Sequence, residues 1–165
     1  MGKIGKWLGY SVLCLTAILA LLAWVGGAIN WNQEPPYSLA HSWGEKGSAP
    51  GQLNDPTGIA VTDTEVFVSD ARNGRIQVFD HEGQFKRAFG TAGDGVGELG
   101  RPMNLTIHHE KLYVPEYMND RIQVFSLAGE PLEIIGGPGE EPGQFNAPGG
   151  VAVADNRVEK WEPVR

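Results

Sequence analysis

The sequence predicts an all-β chain: a partial β-propeller of about two and a half four-stranded blades, behind one N-terminal apolar helix. Three observations predict it. A unit of 46 residues recurs in register, so that Pro56, Pro102 and Pro148 mark the same place in successive copies, as do Gly44, Gly90 and Gly136. Inside each copy the apolar runs are short, alternate polar with apolar, and are bounded by Gly, Asp and Asn. Ahead of the copies, Trp7 to Gln33 carries no charge at all. A fixed period of this length is the mark of a repeat architecture.

The copies run over residues 43–88, 89–134 and 135–156, the last one breaking off. In the first, Gly58-Ile59-Ala60-Val61, Val66-Phe67-Val68, Arg75-Ile76-Gln77-Val78-Phe79 and Gln84 to Phe89 read as four strands, a to d. Four short strands per unit fit a propeller blade. No stripe at helical spacing is present. Strand a, small and uncharged, fits an innermost position at a crowded channel. Strand d, with Lys86 and Arg87, fits a protected outer edge. The Gly- and Pro-rich stretch from Gly44 to Pro56 reads as the connection from one outer strand to the next inner one.

The recurring pattern Pro-Gly-Gln-(Leu/Phe)-Asn-x-Pro, then Asn-x-Arg-Ile-Gln-Val-Phe, resembles the NHL-repeat family of β-propellers over about Leu39 to Asn156. The naming tripeptide stands here as Asn73-Gly74-Arg75 and Asn119-Asp120-Arg121, and the second copy departs from the pattern at Asn104-Leu105-Thr106-Ile107. The resemblance implies a closed ring in the parent fold, and six such units would need roughly 280 residues. The chain has 165. It is therefore expected to be a truncated propeller, with ring completion by another chain as one way to close: two copies would approach five blades. Tyr37 to Trp43 lines up with a lone d strand before the first blade, and residues 157–165 read as a divergent tail, in which Val158 and Trp161 could make a poor b strand.

Residues 1–28 form the expected signal anchor and transmembrane helix. Trp7 to Val25 would span about 28 Å as a helix, close to the hydrocarbon thickness. Trp7, Tyr10 and Trp24 sit near its ends, as interfacial rings do. Lys3 and Lys6 precede it, which places the N-terminus in the cytoplasm and the repeats outside. Cleavage near Gly26-Gly27-Ala28, giving a secreted product, is the alternative. Residues 29–37, with Glu34-Pro35-Pro36, read as a stiff linker. Beyond Ala28 stand 11 Lys and Arg against 20 Asp and Glu, which argues against nucleic acid as a partner.

The chemical candidates lie at the b–c turns. Asp70, Asn73 and Arg75 recur as Glu116, Asn119 and Arg121. Recurrence in each copy favours architecture, with the carboxylate paired to the guanidinium of its own blade or the next. Pro56, Pro102 and Pro148 are structural in the same sense. The b–c turns and the long d–a connections leave a blade on one face, and loops on a rigid scaffold are where binding lies. On that face Arg72, Tyr117 and Met118 are the least repeat-like positions, with Asn73 and Asn119 beside them. The expected ligand is a protein, peptide or glycan. His108-His109-Glu110 falls at the a–b turn on the other face, and adjacent side chains there are expected to diverge. No metal, cofactor or catalytic residue is assigned, and no enzyme activity is expected. The alternative is the N-terminal part of a propeller lyase or hydrolase with a metal in its central channel, since the resemblance extends to such enzymes.

Overall fold

The structure, a computed structural model, describes Leu39, residues 42–155 and residues 157–161. The apolar stretch 7–25, the linker 29–37 and most of the lone strand expected at 37–43 lie outside the described residues. Among the described residues, no helix is long and apolar enough to cross a membrane.

Among the described residues, fourteen strands follow the repeat. A ribbon of β1 (Glu45–Lys46) and β2 (Gln52–Leu53) comes first. The first blade is β3 (Pro56–Val61), β4 (Val66–Asp70), β5 (Arg75–Phe79) and β6 (Phe85–Phe89). A second ribbon, β7 (Thr91–Ala92) with β8 (Glu98–Leu99), leads to β9 (Thr106–His108), β10 (Lys111–Glu116), β11 (Arg121–Ser126) and β12 (Pro131–Ile135), the second blade. The third sheet holds β13 (Gly150–Ala154) and β14 (Arg157–Trp161). Both complete blades are antiparallel meanders, β3-β4-β5-β6 and β9-β10-β11-β12, with each strand beside its sequence neighbour.

Three details go beyond the sequence reading. The d–a connections are not plain loops: each carries a two-residue parallel ribbon, and an isolated parallel bridge joins Pro138 to Phe145 at the matching place in the third copy. Residues 157–161, read as divergent, pair in antiparallel register with β13, Val153 opposite Val158. Strand a of the second blade shortens to β9: Pro102 still bridges Glu116 and Met103 still donates to Pro115 O of β10, but Asn104 directs its N–H to Gly149 O of the third copy and interrupts the ladder.

The sharp b–c turn of the first blade is a 3-10 turn over Ala71–Asn73 that ends on Gly74 at φ 62°. Its counterpart Asp120 takes φ 51°. Glycine reaches this left-handed region freely and Asp tolerates it. That explains why the middle residue of the tripeptide is Gly in one copy and Asp in the next.

Packing is face to face. Phe67, Ile76 and Val78 of the first blade meet Leu105, Leu112 and Val114 of the second in one buried cluster. Ile122 meets Phe145 and Val151 between the second and third sheets. Strands with a neighbour on each side read as unbroken apolar runs, which is why β4 and β11 are buried nearly throughout. On the far face of the first blade, Val66, Val68 and Phe79 lie under Trp43 and Leu53. The Trp43 ring stands 4.4 Å from Phe79, just as Phe89, one period on, stands 5.3 Å from Phe125. There the small run of β3 is not crowded: Ile59 and Val61 are 58% and 56% exposed.

The outer edge is tied by charge. Glu65 accepts from Lys86 and Arg87 of β6, and Arg87 also donates to Leu127 O of the second blade at 2.7 Å. The Arg87 guanidinium holds the Glu65 carboxyl well below its ordinary 4.5, at about 2, against the opposing effect of burial and with further help from Lys86. A folded-state pKa below the unfolded one stabilises the fold above about pH 4.5, and that gain fades as pH falls towards 2. Both cations keep substantial contact with water, so the effect is modest. Glu65→Gln is expected to cost about 1 kcal/mol at pH 7 and much less at pH 2. Thermal melts of both proteins across this range check it.

Candidate functional site

Each b–c turn folds onto the connection that precedes its blade, and a buried carboxylate sits between them. In the first blade, Asp70 is fully buried. It accepts from Arg75 Nε at 2.7 Å, Asn73 Nδ2 at 2.8 Å, Gln77 Nε2 at 3.0 Å and the Asn54 N–H at 2.7 Å. The same donors reach onward into the connection. Arg75 donates to Ala49 O and Gln52 O, Gln77 to Gln52 O, and Asn73 to Gly47 O. Gln77 Oε1 in turn accepts from Gly51 N–H at 2.9 Å.

The second blade repeats this one period on. Glu116 accepts from Arg121 Nε at 2.7 Å, Asn119 Nδ2 at 2.5 Å, Gln123 Nε2 at 2.9 Å and Gly100 N–H at 2.9 Å. Asn119 holds Gly93 O, and Gln123 binds Gly97 N–H and Glu98 O. Asp70, Arg75, Glu116 and Arg121 thus tie each b–c turn to the connection before it. A buried charge with this many donors is satisfied. It folds the ribbons down and has no lone pair directed at solvent ligands. The role of Gln77 and Gln123, both fully buried, is not in the sequence reading, which took them as the polar half of an alternating strand.

The network also sorts the face candidates. Asn73 and Asn119 spend their amides inside it. Arg72, Tyr117 and Met118 lie outside it. Arg72 and Met118 line a shallow groove of about 750 Å³ between the first two blades, edged also by Asn54, Asp94 and Arg101, whereas Tyr117 does not line it. Arg72 Nε and Arg101 Nη2 each stand 3.3 Å from Asp55 Oδ2. The Arg101 guanidinium also lies over the Tyr117 ring at 5.5 Å. Met118 is 67% exposed. Arg101 was not among the sequence candidates. It follows the position of Asp55 and precedes Pro102 as Asp55 precedes Pro56, and all of Asp55, Arg101 and Ala147 take positive φ.

Pro102 and Pro148 are buried while Pro56 is exposed. At the opposite face, the rings of His108 and His109 do not diverge as expected. They stack at 4.0 Å between centroids, because His109 and Glu110 both turn left-handed, at φ 47° and 61°. Among the described residues no three His, Cys, Asp or Glu gather where a metal could sit.

Four-stranded meanders packed face to face, joined through ribbons on one side, define a β-propeller. The 6-bladed beta-propeller family matches residues 52–138, more than half of the sequence, and the chain belongs to that family. Shorter similarities exist to two curated proteins. One is the protein brain tumor of Drosophila melanogaster, 46% identical over 48 residues, which is 28% of this chain and 5% of that protein. The other is the B-box type zinc finger protein ncl-1 of Caenorhabditis elegans, 49% identical over 45 residues, 27% of this chain and 5% of that one. The chain thus spans about 5% of the length of the curated relatives it matches. Among solved structures, selenomethionine-substituted virginiamycin B lyase from Staphylococcus aureus is similar with a TM-score of 0.46 and 16% identity, over 67% of this chain and 42% of that one. Its catalytically inactive form with quinupristin gives the same score at 17% identity.

Proposed function

We propose that this chain is an NHL-type binding scaffold that acts through the groove between its first two blades. It is held at a membrane by the apolar stretch 7–25, with its blades outside the cytoplasm, and it catalyses no reaction of its own. The ligand is a protein, peptide or glycan that presents a carboxylate. One observation carries this reading: two guanidiniums, Arg72 and Arg101, share the single carboxylate of Asp55 at the groove's edge. Asp94 stands at the same edge, so what a ligand would meet is not a net charge but the guanidinium N–H donors that Asp55, which takes one from each, does not use. The positions are those where the repeat is broken, Arg72 matching Met118 and Arg101 matching Asp55 and Ala147. Architecture needs the same residue in each copy; a ligand that sits at one place does not. Tyr117 and exposed Met118 supply apolar surface beside the cations, a mixture suited to a peptide or sugar face.

The full chain, solubilised in detergent, is tested on arrays of acidic peptides and uronic-acid glycans. Retention is expected, and the Arg72→Ala/Arg101→Ala variant should lose about tenfold or more, the equivalent of one charge-assisted contact. Equal retention of both proteins on every carboxylate-bearing probe overturns the reading.

A further inference from the structure

We infer that the ligand is a linear uronate glycan, laid across two adjoining hollows of this face, and not an acidic peptide. The inference rests on the groove reading above and narrows it to one class of ligand. Its first support is the set of groups left unspent at the groove. Asp55 takes one N–H from Arg72 and one from Arg101, and the other guanidinium N–H groups at that edge suit a carboxylate. The Asp94 carboxylate, exposed at the same groove, has no partner among the described residues; only the backbone of Asp94 is engaged. The Asn54 side-chain amide is free in the same way, its backbone alone being bonded.

This mixture decides the class. An ionised carboxylate accepts hydrogen bonds and repels a second carboxylate. A polyacidic peptide brings one carboxylate after another towards Asp94 and no hydroxyls. A uronate unit carries a single carboxylate for the guanidiniums and, on the same rigid ring, hydroxyls for Asp94 and Asn54. The groove also offers Gly74, Ala92 and Gly93 as lining, a flat surface of the kind a sugar ring covers.

The length of the ligand follows from a second hollow. It has a volume of about 530 Å³, shares Asn54 and Arg72 with the groove, and adds Trp43 and Lys46. The two are the same place in successive copies, since Leu53 and Asp55 of one match Leu99 and Arg101 of the other. Lys46 is exposed and has no ion-pair partner among the described residues. A cation and an indole are what a second uronate unit needs, one for its carboxylate and one for its apolar ring face. Neither Lys46 nor Asp94 is fixed by the repeat: their counterparts are Ala92 and Pro138, and Ser48 and Glu140.

The test is calorimetry on the full chain in detergent, with galacturonate and alginate oligomers of one, two and four units, and with poly-glutamate. Affinity for one of the two sugar series is expected to rise about tenfold or more from one unit to four. Lys46→Ala should abolish that rise and leave the single unit bound as before. Asp94→Ala should weaken the four-unit oligomer about fivefold and tighten poly-glutamate. Both side chains are exposed and unpartnered, so both variants should keep the wild-type melt. Poly-glutamate bound as tightly as the four-unit oligomer overturns the inference, as does an Asp94→Ala variant that tightens both probes. Four units bound no better than one, or a rise that Lys46→Ala leaves intact, overturns it too. In each of these cases the Arg72 and Arg101 groove still binds carboxylate. Failure of every probe to bind removes that groove reading and this inference together.

Discussion

Asp70→Ala is expected to lower the free energy of unfolding by about 3–5 kcal/mol, and Glu116→Ala by a similar amount. Each carboxylate is fully buried, while its Arg partner is only 17% or 13% exposed. Removing the acid leaves the guanidinium without its counter-charge in a site that water reaches poorly. It also strips a partner from an Asn amide, a Gln amide and a backbone N–H. The loss should spread, because Arg75, Asn73 and Gln77 are the groups that hold the β1–β2 ribbon. Total stability in a domain of this kind is about 5–15 kcal/mol, so either change takes a large share. Asp70→Asn, which keeps an acceptor and removes the charge, should fall between. Urea unfolding followed by tryptophan fluorescence measures it. A loss under about 1 kcal/mol for Asp70→Ala would mean a surface-like ion pair and would contradict the burial on which the framework role rests.

The fold was legible because each level of the sequence repeats the same message. The 46-residue period, the alternation and the Gly-ended turns all point to four strands, and β3 to β6 fall within two residues of the runs read from sequence. The tail was harder. Val158 stands opposite Val153 in a true strand, yet Arg157, Glu159 and Lys160 blur its pattern. For the site, half the network was readable. Asp70 and Arg75 announce themselves by recurring as Glu116 and Arg121. Gln77 does not, since alternation assigns a polar residue in a strand to water, whereas β5 has packing or backbone partners on both sides. The remaining partners are carbonyls of residues 47–52 and 93–98, and a carbonyl has no signature in sequence. Arg101 was missed for a related reason. Its own segment looks like connection, and only the neighbouring blade's Arg72, brought to the same Asp55, gives it meaning.

Gly58→Val is expected to cost about 3 kcal/mol, at the upper end for overpacking a closed contact. The reason is the nearness of two backbones. A Cβ on Gly58 would lie 2.5 Å from Met103 O, 2.6 Å from Asn104 Cα and 2.9 Å from Leu105 N. All three are main-chain atoms, so no rotamer change relieves the clash, and the blades themselves must part. Parting them breaks further bonds. Thr57 Oγ1 donates to Pro102 O at 2.8 Å and Ser69 Oγ to Met103 O at 2.5 Å, each worth about 1 kcal/mol. The apolar cluster of Phe67 and Leu105 lies directly beyond. Gly137→Ala is the control, because a Cβ there meets nothing within 4 Å, and it should shift the melt by little. Comparable melts for the two variants would mean that the blades slide freely at this seam. A selective loss in Gly58→Val places the tolerance limit of the propeller at its inner strands, where small residues are set by the neighbouring blade's backbone and not by strand propensity.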